Sequence, residues 1–158
     1  MRNGVRELIQ IAICDDEPEA VARHEGIVRS SLQACGMGFA LTTYTRGRNL
    51  LWDITEDGFF FDLILLDIEM PDITGMELPR RIREFLPNIR IIFVTSHTEY
   101  AIDAFELSIF RYVPKDDLEK RLSAAVTDAA RLIELEARKE YVIQTSSRLE
   151  KIPYRDIY

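Results

Sequence analysis

The chain has 158 residues, of which 47% are hydrophobic and 30% charged, and its formal net charge is −7. This length suits one globular domain with its own core and leaves little room for a second complete domain. The sequence has no long apolar run and no apolar signal stretch near its start, so we expect a cytoplasmic protein without a membrane contact. The negative charge argues against direct nucleic-acid binding, because a DNA-binding face must be basic.

Strand-like apolar runs alternate with amphipathic stretches along the sequence. The predicted strands are residues 8–14, 39–44, 62–66, 89–94 and 110–113. Helical spacing is predicted from Pro18, from about Asn49, from Gly75, from about Tyr100 and over residues 118–140. This alternation predicts an α/β fold with a doubly wound, five-stranded parallel sheet, flavodoxin-like (βα)5, in the order 2-1-3-4-5. Strands 1 and 3 are then neighbours, and ligands are expected outside their carboxyl ends.

The first predicted helix fixes two further expectations. Its buried stripe should consist of Val21, His24, Ile27, Val28, Ser31 and Leu32. The same helix separates Cys14 from Cys35 by far more than the Cα distance of about 7 Å that a disulfide tolerates. We therefore predict two free thiols.

The end of the chain has a different pattern. Residues 141–145 and 149–154 are interpreted as two strands around a turn at Ser146, Ser147 and Arg148. An isolated hairpin is only marginally stable. We therefore expect residues 1–140 to form one domain with an extended last helix, and residues 141–158 to be a linker and the beginning of a truncated second domain.

Acidic residues follow the two central strands of the predicted sheet. Asp15 and Asp16 come after strand 1, and Asp67 comes after strand 3. Three carboxylates at one edge repel each other unless a cation neutralises them, and a set of oxygen ligands favours Mg²⁺. We expect Asp16 and Asp67 as direct ligands, Asp15 as a ligand through water, and the backbone carbonyl of Glu69 as a third protein oxygen. For any one aspartate taken alone, a helix N-cap is the alternative.

Two more polar residues fall at the same predicted edge. Thr95 ends strand 4 and Lys115 follows strand 5. A hydroxyl and an ammonium could offset the charge of a phosphoryl group attacked by a carboxylate. Taken singly, Thr95 could be an N-cap and Lys115 a solvated charge.

Four stretches carry a resemblance to the receiver domains of response regulators. They are IAICDDE from Ile11, LILLDIEMPDITG from Leu63, IIFVTS from Ile91 and FRYVPK from Phe110, and the resemblance spans about residues 8 to 135. It implies that a sensor histidine kinase or a small phosphodonor phosphorylates Asp67 in a Mg²⁺-dependent reaction, and that dimerisation follows. It implies a signalling switch instead of a turnover enzyme, with Thr95 and Lys115 contacting the phosphate. Tyr112 would be the switch aromatic that turns inward with Thr95, or alternatively a plain core aromatic of an edge strand.

The tail carries a second resemblance. IQTS from Ile143 and KIPYRDIY from Lys151 look like the opening of a LytTR-type DNA-binding domain. The resemblance implies a transcription regulator that contacts DNA through an output domain largely missing from this chain.

One departure from the receiver pattern and three alternatives stay open. Receivers usually have proline after the lysine, whereas here Pro114 precedes Lys115, which leaves the aim of the lysine uncertain. A phosphatase of the haloacid-dehalogenase type would need an aspartate where Glu69 stands. A receiver-like module that no longer accepts phosphate, and a flavodoxin-like electron carrier, are the other two.

Two smaller groups of residues have both a functional and a plain interpretation. His24 and His97 could be phosphohistidine or metal groups, but the helix stripe and loop solvation explain them. Arg80, Arg81 and Arg83 could dock a partner, although a solvated helix face is the simpler interpretation.

Overall fold

The computed structural model describes residues 8–73 and 76–150. Its five parallel strands lie in the order β2-β1-β3-β4-β5. They are β1 (Ile9–Cys14), β2 (Phe39–Tyr44), β3 (Leu63–Leu66), β4 (Arg90–Thr95) and β5 (Arg111–Pro114). The helices are α1 (Pro18–Ala34), α2 (Gly47–Thr55), α3 (Glu77–Phe85), α4 (Ala101–Glu106) and α5 (Leu118–Glu150), with 3₁₀ turns at Thr98–Tyr100 and Lys115–Asp117. The predicted fold and strand order are confirmed.

Helices cover both faces of the sheet, which is why its central strand is apolar without alternation. All four residues of β3 are buried. Ile11 and Ile13 of β1 face the α1 and α5 layer. Ala12 and Cys14 face the layer of α2, α3 and α4. The two cores therefore lie on opposite sides of one sheet. Loops lie at the edge of the sheet where the strands have their carboxyl ends.

The predictions for the first helix are confirmed. The buried residues of α1 are Val21, His24, Ile27, Val28, Ser31 and Leu32. Cys14 is a buried free thiol and Cys35 an exposed one.

The strand predicted over residues 141–145 is wrong, because α5 continues as a helix to Glu150. The sequence between Leu118 and Glu150 contains neither glycine nor proline, so it holds no residue that stops a helix. A lone hairpin has no sheet to join here, whereas helix propagation satisfies each backbone group locally. The second predicted strand begins inside this helix at Leu149, and its residues 151–154 lie outside the described residues.

The interpretation of Arg83 as part of a solvated helix face is wrong. Its guanidinium donates to the backbone carbonyls of Leu107 and Ser108, the latter at 2.9 Å. Burial lowers the pKa of this arginine. Arg83 thus ties α3 to the turn that follows α4.

Candidate phosphorylation and metal site

The three predicted acids meet at the carboxyl edge of the sheet. Cys14 and Leu66 are register partners at the ends of β1 and β3, and the backbone N–H of Asp67 donates to the carbonyl of Cys14 at 3.1 Å. One carboxylate oxygen from each of Asp15, Asp16 and Asp67 lies within 4.8 Å of the others. Asp15 and Asp67 are buried and Asp16 is half-buried. Acids separated by about fifty residues of sequence therefore form one cluster.

Local hydrogen bonds orient the two buried carboxylates. Oδ1 of Asp15 accepts the backbone N–H of Glu17 at 3.0 Å, and Oδ1 of Asp67 accepts the backbone N–H of Glu69 at 3.2 Å. Each bond closes an Asx-turn, in which an aspartate carboxylate accepts the backbone N–H two residues later. The Oδ2 atoms of both residues are thereby left to face a shared partner.

That partner is Lys115. Its Nζ lies 2.9 Å from Oδ2 of Asp15 and 3.2 Å from Oδ2 of Asp67. Burial alone would lower the pKa of Lys115, but its hydrogen bonds to Asp15 and Asp67 and their charges outweigh burial and raise the pKa. With the order Pro114–Lys115, the ammonium group still lies beside the two acids. The lysine side chain therefore points toward the acid cluster.

The charge state of Asp67 reflects two opposed effects. Burial raises the pKa of its carboxyl, while Lys115 and the N–H of Glu69 pull it back, and the net direction is upward. Three carboxylates against one ammonium give the cluster a formal net charge of −2. A buried site of this sign attracts a cation.

Thr95 and Tyr112 are linked through one residue of the loop after β4. Thr95 is fully buried, and its Oγ1 accepts the backbone N–H of His97 at 3.1 Å. The hydroxyl of Tyr112 donates to the carbonyl of the same His97. The Tyr112 ring packs edge-on against Phe93, with centroids 6.3 Å apart. Tyr112 is therefore a packed and hydrogen-bonded aromatic of an edge strand, and its role as a switch stays a prediction.

His97 borders the site from the side of β4. Its Nε2 lies 3.7 Å from Oε1 of Glu69, and its Nδ1 lies 3.4 Å from Oε2 of Glu99. The side chain is 42% exposed, as expected for a loop residue. His24 is instead buried in α1, and burial lowers its pKa to about 4.

Sequence reasoning missed Asp72, which bonds to the amino end of α2. Its carboxylate accepts the backbone N–H groups of Gly47 and Arg48 at 3.3 and 2.9 Å. Gly47 also begins α2 two residues before the predicted start at Asn49. The cap comes from a residue 25 positions later in the chain, so no local capping pattern could reveal it.

The donor set fits Mg²⁺. The cluster offers only carboxylate oxygens, the ligand type that this small, hard cation prefers, and they converge from two strand ends. Asp15, Asp16 and Asp67 are the residues that would hold it. The role of the Glu69 backbone carbonyl as a further Mg²⁺ ligand stays a prediction.

The sequence and the fold of the chain both match known proteins. Residues 11–127 match the family described as response regulator receiver domain. The chain belongs to this family. It is 34% identical over 122 residues to the transcriptional regulatory protein NatR of Bacillus subtilis, and 32% identical over 123 residues to the positive alginate biosynthesis regulatory protein of Pseudomonas aeruginosa. These alignments cover 75% and 78% of this receiver chain and 48% of each relative, so it spans about half the length of these curated relatives.

Solved receiver structures share the fold. The response regulatory domain of protein mrkE from Klebsiella pneumoniae superimposes with a TM-score of 0.70 at 26% identity, covering 80% of this chain and 99% of that one. A structure described as the BeF3 activated DrrB receiver domain superimposes with a TM-score of 0.62 at 28% identity, covering 78% of this chain and 97% of that one. In the part of the receiver that the structure describes, no helix combines the length and apolar character needed to cross a bilayer.

Proposed function

We propose that this receiver accepts a phosphoryl group on Asp67 from a sensor histidine kinase of a two-component system. The observation that carries the proposal is the Asp67 carboxylate itself, buried at a strand end, hydrogen-bonded to Lys115 and flanked by Asp15 and Asp16. A small phosphodonor would serve in place of the kinase.

The chemistry needs an ionised nucleophile. An oxygen of Asp67 attacks phosphorus, the bond from phosphorus to the donor nitrogen or oxygen breaks, and the donor leaves with that electron pair and takes up a proton. Lys115 opposes the rise in the Asp67 pKa that burial causes, and its ammonium would offset charge on the transferred group. The hydroxyl of Thr95 would contact the phosphate once the phosphate is bound to Asp67.

A bound Mg²⁺ would neutralise the acids and the phosphoryl oxygens when present. We assign Asp16 and Asp67 as its direct ligands, Asp15 as a ligand through water, and the carbonyl of Glu69 as a further one. The phosphoryl group ends on the receiver itself, so the receiver catalyses only its own phosphorylation and dephosphorylation. We therefore regard the receiver as a switch and not as a turnover enzyme.

The output is proposed to be transcriptional. The transcriptional regulatory protein NatR and the positive alginate biosynthesis regulatory protein are each about twice as long as the part aligned here. A further relative is the transcriptional regulatory protein LytR of Staphylococcus aureus, which is 39% identical over 66 residues. These names support a transcriptional output, and the resemblance of IQTS from Ile143 and of KIPYRDIY from Lys151 supports a DNA-binding output domain of the LytTR type. The chain's charge of −7 is consistent with DNA contact through that domain alone.

Phosphorylation is proposed to favour a homodimer through the face of α4, β5 and α5. The support is an exposed apolar pair on α4, Ile102 at 75% and Phe105 at 84% exposure. A contact that covers this pair would remove apolar surface from water. Thr95 and Tyr112 would transmit the change, because both bond to His97 at the start of the α4 segment.

The test is intact-protein mass spectrometry after incubation with acetyl phosphate and Mg²⁺. Wild type should gain the mass of one phosphoryl group, and Asp67→Asn should gain none. Asp53→Asn is the matched control, since Asp53 is a carboxylate on α2 that accepts the hydroxyl of Tyr44 away from the acid cluster. A full adduct on Asp67→Asn, or none on wild type, would refute the proposal, and steady release of phosphate without an adduct would favour a phosphatase.

A further inference from the structure

The loop that follows Asp67 is fastened to α2 by reciprocal hydrogen bonds. The Asp72 carboxylate accepts two backbone N–H groups at the start of α2, and Nε of Arg48 donates back to the carbonyl of Asp72 at 2.9 Å. The residue at the N-cap, Arg46, makes no side-chain cap of its own. Asp72 therefore supplies the negative group that the amino end of α2 needs.

Packing fixes the same loop independently. Met70 and Ile73 are each only 7% exposed and belong to the core beneath α2 and α3. A Cβ atom at Gly47 would lie 2.5 Å from Cγ2 of Ile73 and 3.0 Å from Cδ2 of Leu78. The loop thus approaches the backbone of α2 so closely that only glycine fits there.

These two attachments bracket the residues beside the acid cluster. At one end the Asp67 backbone bonds to Cys14 and its carboxylate to the N–H of Glu69. At the other end Asp72 is held by α2, so the peptide of Glu69 lies between two fixed points. Residues that orient metal ligands are part of a metal site even though they do not touch the ion.

We infer that Asp72 is a positioning residue for the cation site, acting with Gly47 to hold the loop of residues 67–73 against the amino end of α2. The inference rests on the proposed function, because it concerns the cation that the Asp67 chemistry uses. Asp72 acts through the loop backbone, and its own charge is offset by the helix terminus it caps.

The test measures cation affinity without any phosphoryl transfer. Mn²⁺, a stand-in for Mg²⁺, is titrated into the unphosphorylated chain, and free Mn²⁺ is quantified by electron paramagnetic resonance. Asp72→Ala should weaken Mn²⁺ binding about tenfold, the low end of the range for residues that orient metal ligands. Asp72→Asn removes the same charge but keeps an acceptor oxygen, so it should recover part of that loss. Gly47→Ala should weaken binding without changing any charge.

The matched control is Asp53→Ala, which removes a carboxylate and a hydrogen bond from the same helix without touching the loop. It should bind Mn²⁺ within twofold of wild type, and thermal melts of the metal-free variants show how far stability alone differs. If Asp72→Ala does not fold, Asp72→Asn and Gly47→Ala carry the test.

The outcomes separate this inference from the proposed function. Wild-type affinity in both Asp72→Ala and Gly47→Ala would overturn the inference and leave phosphorylation of Asp67 standing. Tight Mn²⁺ binding by wild type with no phosphoryl adduct would overturn the proposed function and leave the positioning role intact. Wild type without saturable Mn²⁺ binding would overturn the inference, because there would be no cation to position.

Discussion

The first half of α5 and the short helix α4 flank the same edge strand, β5, but are attached to the sheet in different ways. Six apolar residues of α5 are each at most 4% exposed, namely Leu118, Leu122, Ala125, Val126, Ala129 and Ala130. In α4 only Ala104 is buried, while Ile102 and Phe105 are 75% and 84% exposed. α5 is thus held by burial of apolar surface and α4 is not.

Hydrogen bonds at its two ends attach α4 instead. Tyr112 bonds to the carbonyl of His97 before the helix, and Arg83 bonds to the carbonyls of Leu107 and Ser108 after it. Buried apolar area resists any displacement, whereas a few end bonds can exchange for others at a net cost of about 1 kcal/mol each. We therefore expect α4 to change its arrangement more readily than the first half of α5.

The largest expected contrast comes from paired truncations. Leu122→Ala should lower the free energy of unfolding by about 3 kcal/mol, because it opens a cavity in a fully packed layer. Phe105→Ala should change it by less than about 0.5 kcal/mol, because the ring already lies in water. Urea unfolding followed by circular dichroism measures both. Equal losses would show that α4 is as firmly packed as α5.

A pH titration tests the packed layer further. The folded pKa of His24 is about 4 and its ordinary value is 6.5, so the folded state favours the neutral ring. The stability linked to this residue is complete above pH 6.5 and is lost as the pH falls toward 4. Between pH 7 and pH 5 the loss should be about 2 kcal/mol.

The control for the titration is His24→Asn, which has no group that titrates in this range. Its free energy of unfolding should depend less on pH by the amount assigned to His24. A wild-type slope that persists in the variant would place the pH dependence elsewhere, for example on the acids of the site.

The same contrast explains which features the sequence could predict. The stripe of α1, the apolar β3 and the acids at strand ends follow from periodicity and sheet order, which act locally or through one simple topology. The bond from Asp72 to α2 and those from Arg83 to the carbonyls after α4 join segments that no pattern relates. The sequence predicts a strand near the end of α5 because β-branched residues around Val142 and Ile143 favour strands, whereas the helix that forms there needs no partner sheet.

Removing one hydroxyl tests the attachment of α4. Tyr112→Phe keeps the ring against Phe93 but loses the bond to His97, so stability should fall by about 1 kcal/mol. Amide hydrogen exchange should quicken over residues 97–107 and stay unchanged in α1 and the first half of α5. Uniformly faster exchange over the whole chain would contradict a local role for this hydroxyl.

The smallest expected effect concerns the second half of α5, beyond the packed layer. There Glu136 accepts two hydrogen bonds from Arg90 of β4, at 2.8 and 2.6 Å, and these bonds lower the pKa of Glu136. Because Glu136 is 58% exposed, the pair should contribute only about 0.5 kcal/mol, measured as the coupling energy of a double-mutant cycle with Arg90→Gln and Glu136→Gln. High salt should reduce the coupling. A coupling above about 2 kcal/mol would mean that this ion pair, and not burial alone, holds α5 on the sheet.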